Sequence, residues 1–321
     1  MLKSNVKRLY FTILKKGKWD GLIMNLSCRQ TFMNTYMAKF GTAGVGELFY
    51  TKGYKHSQEM PEFLATLSLT AFEYQCGRGV RIGDEKAQLL GENAKKHNVT
   101  LSVHAPYYIS LTTEDPEKIE NNLRYLKESA HAATQMGATR VVFHSGSVNK
   151  KANRKEAFQM AYDALKNIMV ALNDEGYDHL IFCPETMGKM NQLGDLDEVL
   201  EFCNMSDNLL PCIDFGHLNS RMQGAIQTID DYQQIFNRIS EVIGEEKARI
   251  VHCHFSMIEY GTGGEKKHLT FADDVYGPPF EPLVELLAKK SYAPTIICES
   301  AGTQAEDACE MWEAYKKHKL L

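Results

Sequence analysis

From about Lys39 onward, a short apolar run alternates with a longer stretch of helical periodicity, eight times over. The strand candidates are KFGTAG (39–44), AFEYQC (71–76), TLSVHA (100–105), TRVVFHS (139–145), HLIFCPE (179–185), LLPCID (209–214), ARIVHCHFS (248–256) and PTIICES (294–300). They are brief, rich in β-branched residues and bounded by Gly, Pro or polar clusters. Between them lie amphipathic stretches such as DEKAQLLGENAKKH and NNLRYLKESAHAATQMG, the second closing on Gly137 as a helix C-cap. KEAFQMAYDALKNIMVALNDEG behaves in the same way and is expected to end at Gly176. Strands that alternate with helices imply a parallel sheet. Eight such units fit a closed α/β barrel, a (β/α)8 TIM barrel, better than an open doubly wound sheet. Residues 37–321 are therefore expected to form one catalytic barrel domain.

A barrel of this kind places its chemistry at the C-terminal ends of the strands and in the loops that follow. His104 closes strand three in SVHAPYY, and His144 closes strand four in VFHSGS. Glu185 closes strand five in CPETMGK, and Asp214 closes strand six, with His217 three residues later in IDFGH. Strand seven carries His252 and His254, and strand eight ends in Glu299. A lone histidine or acid at a strand end is usually a satisfied structural group. Six consecutive strands converging on one mouth change that reading, because unpaired carboxylates there would repel. Divalent cations hold acids and neutral imidazoles together, and a nitrogen and oxygen donor set without thiolate suits Zn²⁺, Mn²⁺ or Fe²⁺. His252 lies two residues before His254, on the same side of the strand but deeper. It is expected to orient a ligand or fill the interior rather than to bind metal.

Composition narrows the classes. A net charge of −5 gives no global basic field, which counts against a protein that coats nucleic acid. It leaves open a local groove around an acidic metal site. The eight cysteines form no CxxC pair, and several sit in apolar runs such as IFCPE, LPCID and IICES. They read as buried, reduced thiols of a cytoplasmic protein. No apolar run reaches the roughly 18 residues of a membrane span. Residues 1–36 are basic, lack a signal-peptide core, and read as a poorly ordered N-terminal extension or a start-site artefact.

The motifs HAPYY, FHSGS, PETMGK, IDFGH, HCHFS and CES, in that order between about Phe40 and His318, resemble the endonuclease IV family of apurinic/apyrimidinic endonucleases. That family lies within the xylose isomerase-like TIM-barrel superfamily, and the IDFGH and GEKKHL variants look most like its archaeal-type members. The resemblance implies two or three zinc ions at the barrel mouth. His104, His144 and Glu185 would hold the first; Glu185, as a bridge, with Asp214, His254 and Glu299 would hold the second. His217 and His268, in the loop after strand seven, would hold the third.

One position departs. The family usually has an aspartate two residues before that last histidine, where this chain has Lys266. A protonated lysine cannot ligate a metal, so Glu265 becomes the substitute to consider, and Lys266 a phosphate contact. The resemblance further implies hydrolysis of the phosphodiester 5′ to an abasic site in double-stranded DNA by a metal-activated water, with Glu185 and Glu299 catalytic. Tyr107 and Tyr108 match family positions that pack against DNA at the lesion. Arg78 and Arg81, in the GRGVRIG loop, are candidate phosphate contacts.

Two other readings stay open. A single-metal sugar isomerase or epimerase of the same superfamily needs only Glu185, Asp214, His254 and Glu299. The extra histidines exceed that need and favour phosphoryl chemistry. A non-catalytic binding barrel would explain Lys266, but would leave a buried acid cluster with no compensating ligand.

Overall fold

The computed structural model describes residues 37–148 and 153–320. The expectation for residues 1–36 lies outside the described residues.

The alternation seen in the sequence becomes a parallel barrel. Strands β1 (Lys39–Ala43), β2 (Ala71–Gln75), β3 (Thr100–His104), β4 (Arg140–Phe143), β5 (Ile181–Pro184), β6 (Cys212–Asp214), β7 (His252–Phe255) and β10 (Thr295–Cys298) pair in the order β5-β4-β3-β2-β1-β10-β7-β6. The parallel bridges Phe182–Leu209 and Glu185–Cys212 close the seam between β5 and β6. Each strand is followed by a helix that lies on the outside, among them Asp84–His97, Pro116–Met136, Arg154–Asp174 and Ile229–Ile243. Several starts are set chemically: Asp115, Asn153, Thr228 and, before the helix Leu196–Cys203, Asp195 each accept from a first-turn amide, satisfying donors that a helix start leaves unpaired. Gly137 ends the helix before β4 at φ +69°, a left-handed cap that favours glycine. The next helix ends one residue sooner than expected, with Glu175 as its cap and Gly176 just beyond.

The core lies between helices and sheet, where Phe40, Phe72, Leu101, Val141, Phe182, Ile213, Phe255 and Ile296 are fully or nearly fully buried. Alternate residues of the same strands point into the barrel, and there the polar groups collect: Glu73, Ser102, His252 and His254 are buried.

Two expectations are corrected. The run ARIVHCHFS is not strand throughout, because Glu245–Ala248 forms a short helix and the strand begins only at His252. The segment after strand seven is not a loop. It is an antiparallel hairpin, β8 (Ile258–Gly261) and β9 (Gly264–His268), built from residues too short and polar to signal strand by periodicity.

Candidate metal centre

Glu185 sits at the centre of the mouth, just past the end of β5, and is buried. Its two carboxylate oxygens face different partners. Oε2 lies 3.2 Å from His104 Nε2 and 3.1 Å from His144 Nε2. Oε1 lies 3.2 Å from His254 Nδ1 and 3.2 Å from His217 Nδ1. Three sets of donor atoms gather around it, each within 4.8 Å of one another: His104, His144 and Glu185; Glu185, Asp214, His254 and Glu299; His217, Glu265 and His268.

Local structure fixes each donor. The His104 ring is anchored through Nδ1 to the carbonyl of Ala105 at 2.8 Å, which turns Nε2 toward Glu185. Asp214 ends β6 and caps the helix Phe215–Arg221, its Oδ1 accepting from the His217 amide at 2.7 Å. That helix turn carries His217 back over the mouth, where Thr186 fixes it through a 3.0 Å contact from its carbonyl to Nδ1. His217 Nε2 then lies 3.4 Å from Glu265 Oε2. His268 is held through Nδ1 by Ser256 Oγ at 2.8 Å.

The hairpin explains the Lys266 anomaly. Pairing runs Glu259 to Lys267 and then Tyr260 to Glu265, so Lys266 is the extra residue of a β-bulge. In a regular strand, residues 265 and 268 would point to opposite faces. A bulge adds one residue and resets the alternation, so Glu265 and His268 share the face turned to His217. Lys266 faces away, with Nζ 3.2 Å from Glu259 Oε1. The hairpin docks on the loop after β5 by main-chain bonds, Glu265 N to Gly188 O at 3.2 Å and Met190 N to Gly263 O at 3.0 Å. A Cβ on Gly188 would lie 2.6 Å from the Glu265 Cβ, so glycine makes room for that side chain.

Burial disfavours charge on Glu185, His104, His217 and His254, yet neighbouring groups of opposite charge favour it. Against its burial, His254, His144 and His104 keep Glu185 well below the usual carboxylate range. Against theirs, Glu185 and Glu73 raise His104 to about 9, and Asp214 and Glu185 raise His217 to about 10. His254 is also driven well above its ordinary value despite burial, by Cys212, Glu299, Glu73 and Glu185. Asp214 differs, because burial lifts its carboxyl above the ordinary range. Its Oδ2 is 3.3 Å from His217 Nδ1 but aligned with no hydrogen-bond donor. A buried carboxylate oxygen without a donor, beside two more acids, is the arrangement a cation satisfies. The donor set therefore fits divalent metal ions.

The remaining site candidates lie at the rim. Tyr107 and Tyr108 follow His104 and are half exposed, at 47% and 49%. Their rings lie 4.3 Å apart, with a 3.1 Å bond between the hydroxyls. Arg78 and Arg81 are exposed in the loop after β2, and the Tyr107 amide donates to Gly77 in that loop. A further group of donors, Cys212, His252 and His254, gathers below the mouth. Burial holds the Cys212 thiol well above its ordinary value, which leaves it a poor ligand.

Glu73 lies in the middle of β2, away from the strand ends that supply the other acids. It is buried and accepts from Ser102 Oγ and His252 Nε2, both at 2.8 Å. The signal was present: an acid inside the apolar run AFEYQC, at an inward-facing position.

Residues 61–315 match the family described as "Xylose isomerase-like TIM barrel". An uncharacterized protein of Methanocaldococcus jannaschii is 32% identical over 267 residues, covering 82% of this chain and 92% of that protein. A probable endonuclease 4 of Acholeplasma laidlawii is 27% identical over 168 residues, 51% of this chain and 55% of that protein, so the chain spans about half of that relative's length. Among solved structures, a D-tagatose 3-epimerase-like protein superposes with a TM-score of 0.66 at 19% identity, covering 88% of this chain and 98% of that one. Endonuclease IV from Thermus thermophilus superposes with a TM-score of 0.59 at 16% identity, with the same coverages. These structural likenesses concern the fold.

Proposed function

The chain belongs to the xylose isomerase-like TIM-barrel family, and within it we propose that the protein is a zinc-dependent apurinic/apyrimidinic endonuclease that cleaves double-stranded DNA on the 5′ side of abasic sites. One observation supports this above the others: two donor groups share Glu185 and a third, of His217, Glu265 and His268, adjoins them, where a sugar isomerase needs one group. Multi-metal sites suit the displacement at a phosphodiester, where attacking and leaving oxygens both need stabilisation.

Bound there, divalent cations would polarise the phosphodiester and make an attacking water acidic. The chain's own groups do the rest. Glu185 would bridge two positions through its separate oxygens. Glu299, less buried than the other acids, would orient or deprotonate the water. Tyr107 and Tyr108 offer an exposed aromatic face beside the mouth for the unstacked lesion, and Arg78 and Arg81 are placed to meet phosphates. The third metal position would use Glu265 in place of the family aspartate, and Lys266 is left free of that position to contact a phosphate. Mn²⁺ or Fe²⁺ could serve in place of zinc. A cytoplasmic setting suits the seven described cysteines, which are all unpaired. No described helix is long and apolar enough to cross a membrane.

The sugar isomerase or epimerase reading rests on the quartet Glu185, Asp214, His254 and Glu299, which could hold one ion by itself. Metal analysis separates the two. Two or three ions per chain support the nuclease; a single ion, with turnover of a ketose, would favour the isomerase.

A further inference from the structure

The inward faces of β2, β3, β4 and β7 carry a polar chain that runs from the bottom of the barrel to the mouth. Arg140, at the start of β4, donates through Nη2 to the Ile250 carbonyl at 2.7 Å, and its Nη1 lies 3.4 Å from His252 Nδ1. His252 therefore has a cation at Nδ1 and donates through Nε2 to Glu73 Oε2 at 2.8 Å. Ser102 donates to the same oxygen at 2.8 Å, and Gln75 Nε2 donates to Oε1 at 3.2 Å. The fourth neighbour is His254, whose Nε2 lies 3.0 Å from Glu73 Oε1. That contact is short but bent, so Nε2 has no well-aligned partner. The other His254 nitrogen, Nδ1, faces Glu185 at 3.2 Å and Glu299 at 3.4 Å.

A carboxylate at one ring nitrogen and a cluster of acids at the other is the arrangement by which proteins fix a ligating histidine. Glu73 reaches His254 from across the barrel, since β2 and β7 are not neighbours in the sheet. It is itself held by Ser102, its register partner on β3. We propose that Glu73 is the positioning residue for His254: it keeps the proton on Nε2 and presents Nδ1, unprotonated, to the cation held by Glu185, Asp214 and Glu299. His252 and Ser102 hold Glu73 in place for that task.

This inference rests on the metal reading of the quartet and is indifferent to whether the substrate is DNA or a sugar. It is tested with the full chain by Glu73→Gln and Glu73→Asp, titrated with Zn²⁺ and Co²⁺ by equilibrium dialysis and visible absorption, alongside thermal melting. Glu73→Gln should stay folded yet lose roughly 10- to 100-fold in affinity for the quartet's ion, with an altered cobalt spectrum. Glu73→Asp should recover part of the loss. A folded Glu73→Gln protein with undiminished affinity and an unchanged spectrum would overturn the proposal. If that variant does not fold, ¹⁵N-histidine spectra of the zinc-loaded wild type decide, with the His254 signals assigned from His254→Gln. A proton on Nε2 supports the proposal, and a proton on Nδ1 overturns it. A wild-type protein that binds neither ion would overturn the metal reading itself, a result distinct from metal binding that ignores Glu73.

Discussion

Glu185 and His254 face each other across the barrel mouth, Oε1 to Nδ1 at 3.2 Å, while the second oxygen of the same carboxylate faces His104 and His144. A side chain whose two oxygens serve two donor groups cannot be replaced by an amide, which has one acceptor oxygen. Glu185→Gln should therefore lower bound metal by at least one ion per chain and cut turnover by about a thousandfold, the scale of losing a central electrostatic group. Elemental analysis and kinetics check this; unchanged turnover would remove the bridging role.

The bulge at Lys266 turns two neighbours to different faces of the hairpin. Glu265→Ala should reduce occupancy of the position near His217 and His268. Lys266→Ala should leave metal content intact, because Lys266 pairs with Glu259 on the opposite face. Its effect should appear as weaker binding of substrate, with a salt dependence shallower by about one unit of slope. Equal metal loss in both variants would contradict the hairpin geometry.

The raised histidines give a pH dependence of known sign. His104, at about 9, and His217, at about 10, hold protons at neutral pH between the acids. A cation must displace those protons, so metal binding should release them and tighten as pH rises from 6 toward 9. Calorimetry in buffers of different ionisation enthalpy would count them. For chelator-treated protein, stability works in the opposite direction. A base whose folded pKa is raised contributes stability that is complete below its unfolded value near 6.5 and lost as pH climbs through 9 to 10. Melting temperature should therefore fall over that window, and less so with metal bound.

The aromatic pair at the rim predicts a binding effect without a metal effect. Tyr107→Ala should weaken binding of an abasic duplex by about tenfold, as expected for a lost stacking contact of 1–3 kcal/mol. Metal content should not change. Fluorescence anisotropy with a labelled duplex measures the first and elemental analysis the second.

Much of this was legible in the sequence, for physical reasons. Strands reveal themselves by short apolar runs, helices by their caps, and a barrel forces strand ends together. His104, His144, Glu185, Asp214, His254 and Glu299 could therefore be read as one site before any coordinates. The hairpin could not, since GGEKKH has no strand periodicity and its bulge is a feature of pairing, not of residue type. Glu73 escaped because attention to strand ends ignores acids in strand interiors. Yet an acid buried inside a barrel needs donors, and the residues that serve it, Ser102 and His252, stand on strands 29 and 179 residues away in the chain.

Incubation of the zinc-loaded protein with a duplex containing a single abasic site, with and without chelator, decides between nuclease and sugar chemistry. An abasic-site nuclease would leave a nick on the 5′ side of the lesion with a 3′-hydroxyl end, spare the undamaged duplex, and lose activity with chelator until zinc is added back. An intact abasic duplex after incubation with fully metal-loaded protein would contradict the nuclease reading, and conversion of a ketose by the same preparation would assign the site to sugar chemistry instead.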